Sequence, residues 1–158
     1  MSGGRDKTNA MRILEARKIA YQAHLYTPDA GLSGAEIARL LEEDPDRVFK
    51  TLVTRGKSGQ IYVFVIPVAY ELDLKKAARA SDEKAIAMIH QKELLPLTGY
   101  VHGGCSPVGM KKAFPTFLDE TAGLYDRVFV SGGKVGCQIE LAPSDLIGAA
   151  ECRLADLI

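Results

Sequence analysis

Two runs of β-branched and aromatic residues, 49–53 and 61–66, constrain the fold most strongly. They flank a polar segment with two glycines, residues 55–60, and this arrangement predicts a β-hairpin. The second run belongs to an apolar stretch, residues 61–70, that spans ten residues and contains Pro67. A membrane-spanning helix needs about 20 apolar residues, so we expect no membrane segment.

Helix signals lie on both sides of the hairpin. Thr8 or Asn9 can cap a first helix. Ser33 and Glu36 form a capping box, and the apolar stripe behind it (Ile37, Leu40 and Leu41) is expected to face the core. Further helical segments are predicted after Asp44, from Asp73 to Arg79, over 90–95 with an end at Pro96, and over 144–150 with Ser144 as cap. Shorter strands are predicted at 20–26, 85–88, 127–130, 137–141 and 152–158.

The order of these elements predicts the fold class. Strands and helices mix without strict alternation, which favours a single α+β domain with a mixed sheet and flanking helices over a doubly wound parallel sheet. A chain of 158 residues with 47% hydrophobic residues and no internal repeat suits one domain, which we place at residues 7–158. Residues 1–6 are expected to form a flexible lead. They precede no apolar stretch, so we expect no secretory signal and a cytoplasmic location.

Charge and cysteine content exclude some classes of protein. With 20 basic and 20 acidic residues the chain has no net charge, so bulk attraction to nucleic acid is excluded. The segment from Arg47 to Arg79, however, contains seven basic residues and only two acidic ones, which predicts a local positive field. The three cysteines are odd in number and lack a Cys-x-x-Cys pair, which indicates free thiols in a reducing compartment. The three histidines lack metal-ligand spacing, so we expect no metal.

Two glycine-rich loops, residues 103–109 and 131–136, are candidate sites. Such loops can aim N–H groups at a phosphate, a carboxylate or an oxyanion, or they can simply be turns that need positive φ. Neither matches a Walker motif. Ser106 is a poor nucleophile candidate because Pro107 lacks the N–H that would complete an oxyanion hole. Cys105 is either a thiolate activated near His102 or a small buried residue.

Lys50 is the third candidate, because it lies between Phe49 and the apolar pair Leu52 and Val53. Its ammonium group either points into a cleft or reaches solvent along a sheet edge, and spacing alone leaves both open.

Taken in order, five motifs resemble the YbaK family of freestanding cysteinyl-tRNA(Pro) deacylases. They are KTNA at 7–10, FKTL at 49–52, LDLKKA at 72–77, TGY at 98–100 with GGCSPVGMKK at 103–112, and VSGGK at 130–134 followed by QIELAPSDL at 138–146. The resemblance implies a partly barrel-like mixed sheet and a cleft for the 3′ end of a mischarged tRNA. It implies no cofactor, and it makes prolyl-tRNA synthetase a candidate partner.

The resemblance also implies roles for residues. Lys50 falls on a cleft lysine that holds the tRNA terminus through its phosphate, and Tyr26 and Asp145 fall on positioning residues. Two sets match the glycine loops, whose backbone amides are expected to stabilise the oxyanion: Gly103, Gly104, Ser106 and Gly109 in the first, and Ser131, Gly132, Gly133 and Lys134 in the second. Cys105 occupies a position where the family also admits isoleucine, so it is expected to be structural. Many members have a basic residue where this chain has Val135.

The family mechanism takes its nucleophile from the substrate: the cysteinyl thiolate attacks its own ester, and a thiolactone leaves the tRNA. A site without a catalytic triad then needs only to orient the ester and to meet the developing charge with N–H donors. Two alternatives stay open. One is a deacylase for another mischarged tRNA, such as Ala-tRNA(Pro), and the other is a non-catalytic RNA-binding or regulatory module.

Overall fold

A computed structural model of the protein describes residues 7–27 and 32–158. Within these residues the helices are α1 (Asn9–Ala16), α2 (Gly34–Leu40), α3 (Leu74–Ser81), α4 (Leu94–Thr98) and α5 (Pro143–Ala150). The strands are β1 (Gln22–Leu25), β2 (Phe49–Gly56), β3 (Ile61–Pro67), β4 (Ile86–Met88), β5 (Thr116–Asp119), β6 (Val128–Ser131), β7 (Cys137–Leu141) and β8 (Cys152–Ala155). Short 3-10 turns lie at Pro45–Arg47, Gln91–Glu93 and Glu120–Leu124. The predicted lead, residues 1–6, lies outside the described residues.

The strands form two sheets, one of five strands in the order β4-β2-β3-β5-β8 and one of three in the order β1-β7-β6. The predicted hairpin is confirmed, since β2 and β3 pair antiparallel from Phe49 with Pro67 to Arg55 with Ile61. Strands β3, β5 and β8 pair in parallel. A parallel bridge between Val48 and Phe129 joins the two sheets. The result is the predicted α+β domain with a mixed, curved sheet that does not close into a barrel.

The two faces of the curved sheet have different cores. Alternate residues of β2 and β3, such as Val53 and Val63, face the main core together with α1, α5 and the inner face of β6 and β7. The opposite face packs Phe64 and Ile66 against α3 and the C-terminal Leu157. On that same outer face α2 places Ala38 against Val48 and Phe129.

Helix signals were mostly right. Thr8 caps α1, Ser33 and Glu36 form the capping box of α2, and Asp73 caps α3. The expectation that the stripe of α2 faces the core is wrong, because Leu40 is 57% exposed and the helix packs through the smaller Ala38.

Three local predictions are corrected. Helix α4 continues through Pro96, which occupies the first turn, where its missing N–H has no intrahelical acceptor to lose. Helix α5 begins at Pro143, and its N-cap is Ala142 rather than the predicted Ser144. Strand β5 was not predicted, because all four of its residues are buried and it shows no alternation of exposed and buried positions. Among the described residues, no helix has the length and apolarity to cross a bilayer.

Candidate active site

The two glycine loops, residues 103–109 and 131–136, pack directly against each other. A Cβ atom built on Gly104 would lie 2.9 Å from backbone atoms of Lys134 and Val135. Ordinary carbon contacts are about 3.5–4.0 Å, so only glycine permits this approach. The structure therefore brings together the two loops that the sequence marked separately.

The start of α1 holds both loops in place. The Nδ2 atom of Asn9 donates to the carbonyl of Gly109 at 2.8 Å. The Oγ1 atom of Thr8 donates to the carbonyl of Gly132 at 2.5 Å and accepts from the N–H of Met11. Sequence reasoning treated Thr8 and Asn9 as helix caps, and the signal for this second role was their place in the KTNA motif.

Tyr100 fills the space between the loops. It is 6% exposed, and its hydroxyl donates to the carbonyl of Val108 at 2.6 Å. Cβ atoms built on Gly109 and Gly133 would lie 3.0 and 3.1 Å from the Tyr100 side chain. Both glycines also have positive φ, +80° and +103°, which other residues adopt only with strain. The loops are thus locked by close contacts on both sides.

Several loop N–H groups already have acceptors within the protein. They are those of Gly104 to Val101 O (2.9 Å), Gly132 to Cys137 O (2.9 Å), and Gly133 to Ser131 Oγ (3.2 Å). The expectation that both loops offer their amides to an oxyanion is therefore corrected for these three residues. Gly103 differs, because it is exposed at a φ of +83° and its N–H has no acceptor among the described residues.

Cys105 and Ser106 are both buried in the first loop. Ser106 is 0% exposed, and its Oγ accepts from the N–H of Val108 at 3.2 Å. Burial raises the pKa of the Cys105 thiol to about 11, so it stays protonated at neutral pH. Cys105 is a packing residue of the main core. In the part of the chain that the structure describes, no three His, Cys, Asp or Glu side chains group closely enough to hold a metal ion.

Lys50 lies on β2 opposite Ile66, on the outer face of the sheet. Two residues before it, Val48 bridges in parallel to Phe129. Two residues further along from these two lie Lys50 and Ser131, so this bridge predicts that Lys50 lies near the start of the second loop. Lys50 is partly buried, and its ammonium group forms no hydrogen bond or ion pair with any described residue.

Tyr26 follows β1 and also lies beside the second loop. Its N–H donates to the carbonyl of Gly136 at 3.0 Å. Burial raises the pKa of the Tyr26 phenol, and the nearby charge of Glu43 acts in the same direction. Tyr26 is therefore a neutral hydroxyl group next to the loop.

Asp145 lies apart from these residues. It occupies the first turn of α5, which begins after Leu141, whereas the second loop leads into β7 at Cys137. A rise of about 3.3 Å per residue separates those two ends of the strand by about 13 Å. Among the described residues, the Asp145 side chain forms no ion pair with either loop, and the whole of β7 separates it from the second loop along the chain.

A polar group on the outer face of the small sheet was missed by sequence reasoning. His24 Nε2 lies 2.7 Å from Glu140 Oε1, and Arg127 Nε lies 3.1 Å from Glu140 Oε2. Gln138 lies beside Glu43, whose pKa burial raises to about 7. The available signal was alternation in β7, where Gln138 and Glu140 are the polar positions of an otherwise apolar strand.

The basic segment from Arg47 to Arg79 does not form one free patch. Several of its cations have partners: Arg55 pairs with Glu93 at 2.8 Å, Lys76 with Asp156 at 3.1 Å, and Arg47 lies over the ring of Tyr125 at 5.1 Å. The expected local field is therefore weaker than the residue count indicates.

Comparisons with known proteins support the resemblance that the sequence motifs indicated. A profile of the aminoacyl-tRNA editing domain matches residues 28–149. A protein of Enterococcus faecalis (strain ATCC 700802 / V583), EbsC, is 46% identical over 152 residues, covering 96% of this chain and 93% of its own. EbsC is named as a candidate Cys-tRNA(Pro)/Cys-tRNA(Cys) deacylase.

Solved structures agree with the fold. One, described as a candidate trans-editing enzyme for prolyl tRNA synthetase, is 27% identical with a TM-score of 0.83 and 94% coverage of each chain. A second, the hypothetical protein APE2540, is 24% identical with a TM-score of 0.85, covering 94% of this chain and 98% of its own. At that identity the second likeness concerns the fold alone.

Proposed function

The chain belongs to the aminoacyl-tRNA editing domain family, and on that basis we propose that it releases cysteine from mischarged Cys-tRNA(Pro). Cleavage of an aminoacyl ester is the chemistry of the family. The choice of cysteine is supported by EbsC, the relative that is 46% identical and is named for Cys-tRNA(Pro) and Cys-tRNA(Cys). Cys-tRNA(Cys) is therefore a second substrate of the same proposal.

The proposal is supported by a lysine without a side-chain partner near a rigid pair of glycine loops, whose own potential nucleophiles are buried. The bridge between Val48 and Phe129 predicts that Lys50 lies near the start of the second loop, and its ammonium group has no partner among the described residues. Cys105 is protonated, and Ser106 is fully buried. A site of this kind suits a substrate that carries its own nucleophile.

The chemistry then follows from the substrate. The cysteinyl thiolate attacks the carbonyl carbon of its own ester, forming a C–S bond and placing negative charge on the carbonyl oxygen. When the tetrahedral intermediate collapses, the bond to the ribose 3′ oxygen breaks, and that oxygen takes up the proton lost by the thiol. The products are a cysteine thiolactone and tRNA with a free 3′ hydroxyl, and water then opens the thiolactone.

The residues of the site have separate roles in this proposal. Lys50 binds a phosphate of the tRNA terminus, for which a compact ammonium group is suited. The Gly103 N–H meets the developing oxyanion, since its donor is exposed and unused. Tyr26 positions the aminoacyl end. Gly104, Ser106, Gly109, Ser131, Gly132, Gly133 and Lys134 shape and hold the loops.

The proposed partners are the acceptor end of a mischarged tRNA and prolyl-tRNA synthetase. The chain has no net charge, and Arg55 and Lys76 of its basic segment are in ion pairs, so we expect weak attraction for a tRNA body. A synthetase that retains the tRNA would supply the missing contacts. We expect this deacylation to take place in the cytoplasm.

A side-by-side deacylation assay tests the proposal. Cys-tRNA(Pro) and Ala-tRNA(Pro) are incubated with the full chain, and release of the amino acid is followed with time. We expect faster release of cysteine, because alanine in the same pose has no thiol. Faster release of alanine would refute the thiol mechanism, and no release from either would favour a non-catalytic module.

Lys50→Ala tests the role of the lysine. We expect deacylation to fall by about 10- to 100-fold, as for loss of a hydrogen bond to a charged group, while the fold is kept. Lys57→Ala is the matched control, since Lys57 is an exposed lysine in the turn of the same hairpin. Equal activity of both variants would remove Lys50 from the site.

A further inference from the structure

Two buried oxygen atoms beside the proposed site have no hydrogen-bond donor. Gln138 is 5% exposed, and its Oε1 atom has no partner. The Oε1 atom of Glu43 is also buried without a partner. The two side chains interact with each other, so both unused acceptors belong to one small cluster. Leaving a buried acceptor unpaired is destabilising, and a bound donor would relieve that cost.

The backbone holds Glu43 firmly in this position. At the end of α2, Glu42 adopts a φ of +56°, and its N–H donates to Arg39 O at 3.1 Å. The N–H of Glu43 donates to Ala38 O at 2.8 Å, which completes a Schellman motif. The following residue, Asp44, caps the next 3-10 turn. The carboxylate is thus presented by a defined turn.

Among the residues that the structure describes, no lysine or arginine pairs with this carboxylate. The nearest titratable groups are His24 and Glu140, and these two contact each other at 2.7 Å. Arg127 is also engaged by Glu140. The cluster therefore has two unused acceptor oxygens and no cationic partner among the described residues.

The cluster shares its sheet face with the proposed site. Gln138 pairs with Ser131 on one side and with His24 on the other. Residues directly opposite each other in antiparallel strands point to the same face, so Gln138 lies on the face of Ser131 and Lys50. Tyr26 lies two residues after His24, and the nearby charge of Glu43 contributes to raising the pKa of its phenol.

We propose that Glu43 and Gln138 form the subsite for the α-ammonium group of the aminoacyl ester. A primary ammonium has three N–H donors and one positive charge, so two of its donors can reach the two unused acceptor oxygens, one of which belongs to the Glu43 carboxyl group. With the amino group held here, the ester carbonyl lies toward the loops and the tRNA terminus toward Lys50. The inference rests on the proposed function, because that function supplies the aminoacyl ligand.

Two non-hydrolysable ligands test the subsite by calorimetric binding to the full chain. The first is 3′-cysteinylamino-3′-deoxyadenosine, and the second is its 3-mercaptopropionyl counterpart, which lacks the ammonium group. We expect the wild type to bind the first ligand about 10- to 100-fold more tightly, as for a charge-assisted hydrogen bond. Glu43→Gln should weaken the first ligand by a similar factor and leave the second unchanged.

Two further variants complete the test. Gln138→Met keeps the length of the side chain without its acceptor, and we expect it to weaken only the amine ligand. Glu42→Gln is the matched control, since Glu42 is the exposed neighbouring carboxylate, and it should change neither ligand. A wild type that does not prefer the amine ligand would overturn the inference. So would equal weakening of both ligands by Glu43→Gln, which would indicate a structural role.

The readouts separate this inference from the proposed function. Failure of the wild type to deacylate Cys-tRNA(Pro), together with the expected binding contrast, would refute the function and support the subsite. Normal deacylation without a binding contrast would support the function and refute the subsite.

Discussion

Gly104→Ala tests the close contact between the two loops. The new Cβ would lie 2.9 Å from three backbone atoms of Lys134 and Val135, and backbone cannot rotate away as a flexible side chain can. Restoring ordinary contacts of about 3.5–4.0 Å requires the loops to separate by about 0.6–1 Å. Overpacking of this kind costs about 1–3 kcal/mol, so we expect a loss of about 2 kcal/mol in the free energy of unfolding.

The same movement predicts a loss of activity. Gly103 carries the proposed oxyanion donor and is adjacent to the substitution, and a displacement of about 1 Å at a reacting group can reduce a rate by about 100-fold. Urea unfolding and Cys-tRNA(Pro) deacylation would be measured on the same preparations.

Gly148→Ala is the matched control. This glycine lies in α5 with no atom within 4 Å of a built Cβ, so the change should stabilise the protein by about 0.5–1 kcal/mol. Wild-type stability and activity in Gly104→Ala would refute the loop contact, as would a Gly104→Ala variant indistinguishable from Gly148→Ala.

Three further predictions concern single side chains. Asn9→Ala removes the hydrogen bond to Gly109 O, which connects the first loop to α1. We expect the free energy of unfolding to fall by about 1 kcal/mol and the deacylation rate to fall more than tenfold. Unchanged rates in the same assay would argue against this role of the hydrogen bond. Burial raises the pKa of Glu43 from 4.5 to about 7, so the folded state holds a proton that the unfolded state has released between these values, and stability falls as pH rises through them. Glu43→Gln should reduce this pH-dependent loss of unfolding free energy by about 1–2 kcal/mol. The value is smaller than the full pKa shift would give, because the side chain is partly exposed. Urea titrations at pH 5 and pH 8 measure the difference. Cys105→Ala should keep most of its activity, since the thiol is protonated and packs in the core, and complete loss in a folded variant would contradict this.

Local signals predicted most elements because their causes are local. The capping box of α2 and the cap of α1 depend on side chains that reach backbone N–H groups three residues away. The stripe on α2 failed for a tertiary reason. Which side of a short helix is buried depends on the partner it meets, and Val48 and Phe129 accept the small Ala38 rather than Leu40.

The site was predicted in part. The glycine loops and Lys50 stand out in the sequence, the structure brings the loops together, and the bridge between Val48 and Phe129 predicts that Lys50 lies near one of them. Asp145 stood in the same motif as the second loop, but β7 separates the two. The pairing of Gln138 with Glu43 joins residues 95 positions apart, and the alternation of β7 marks Gln138 as polar without indicating this partner.

The sequence by itself determined the class of fold, the hairpin and the positions that only glycine can fill. These follow from side-chain alternation, capping and backbone freedom, which act over a few residues. Tertiary structure decided how the loops are held, because Thr8 and Asn9 reach the carbonyls of Gly132 and Gly109, which are 124 and 100 residues away. It also decided that the partly buried Glu43 has an oxygen without a partner, since burial and pairing depend on neighbours that the chain brings together only by folding.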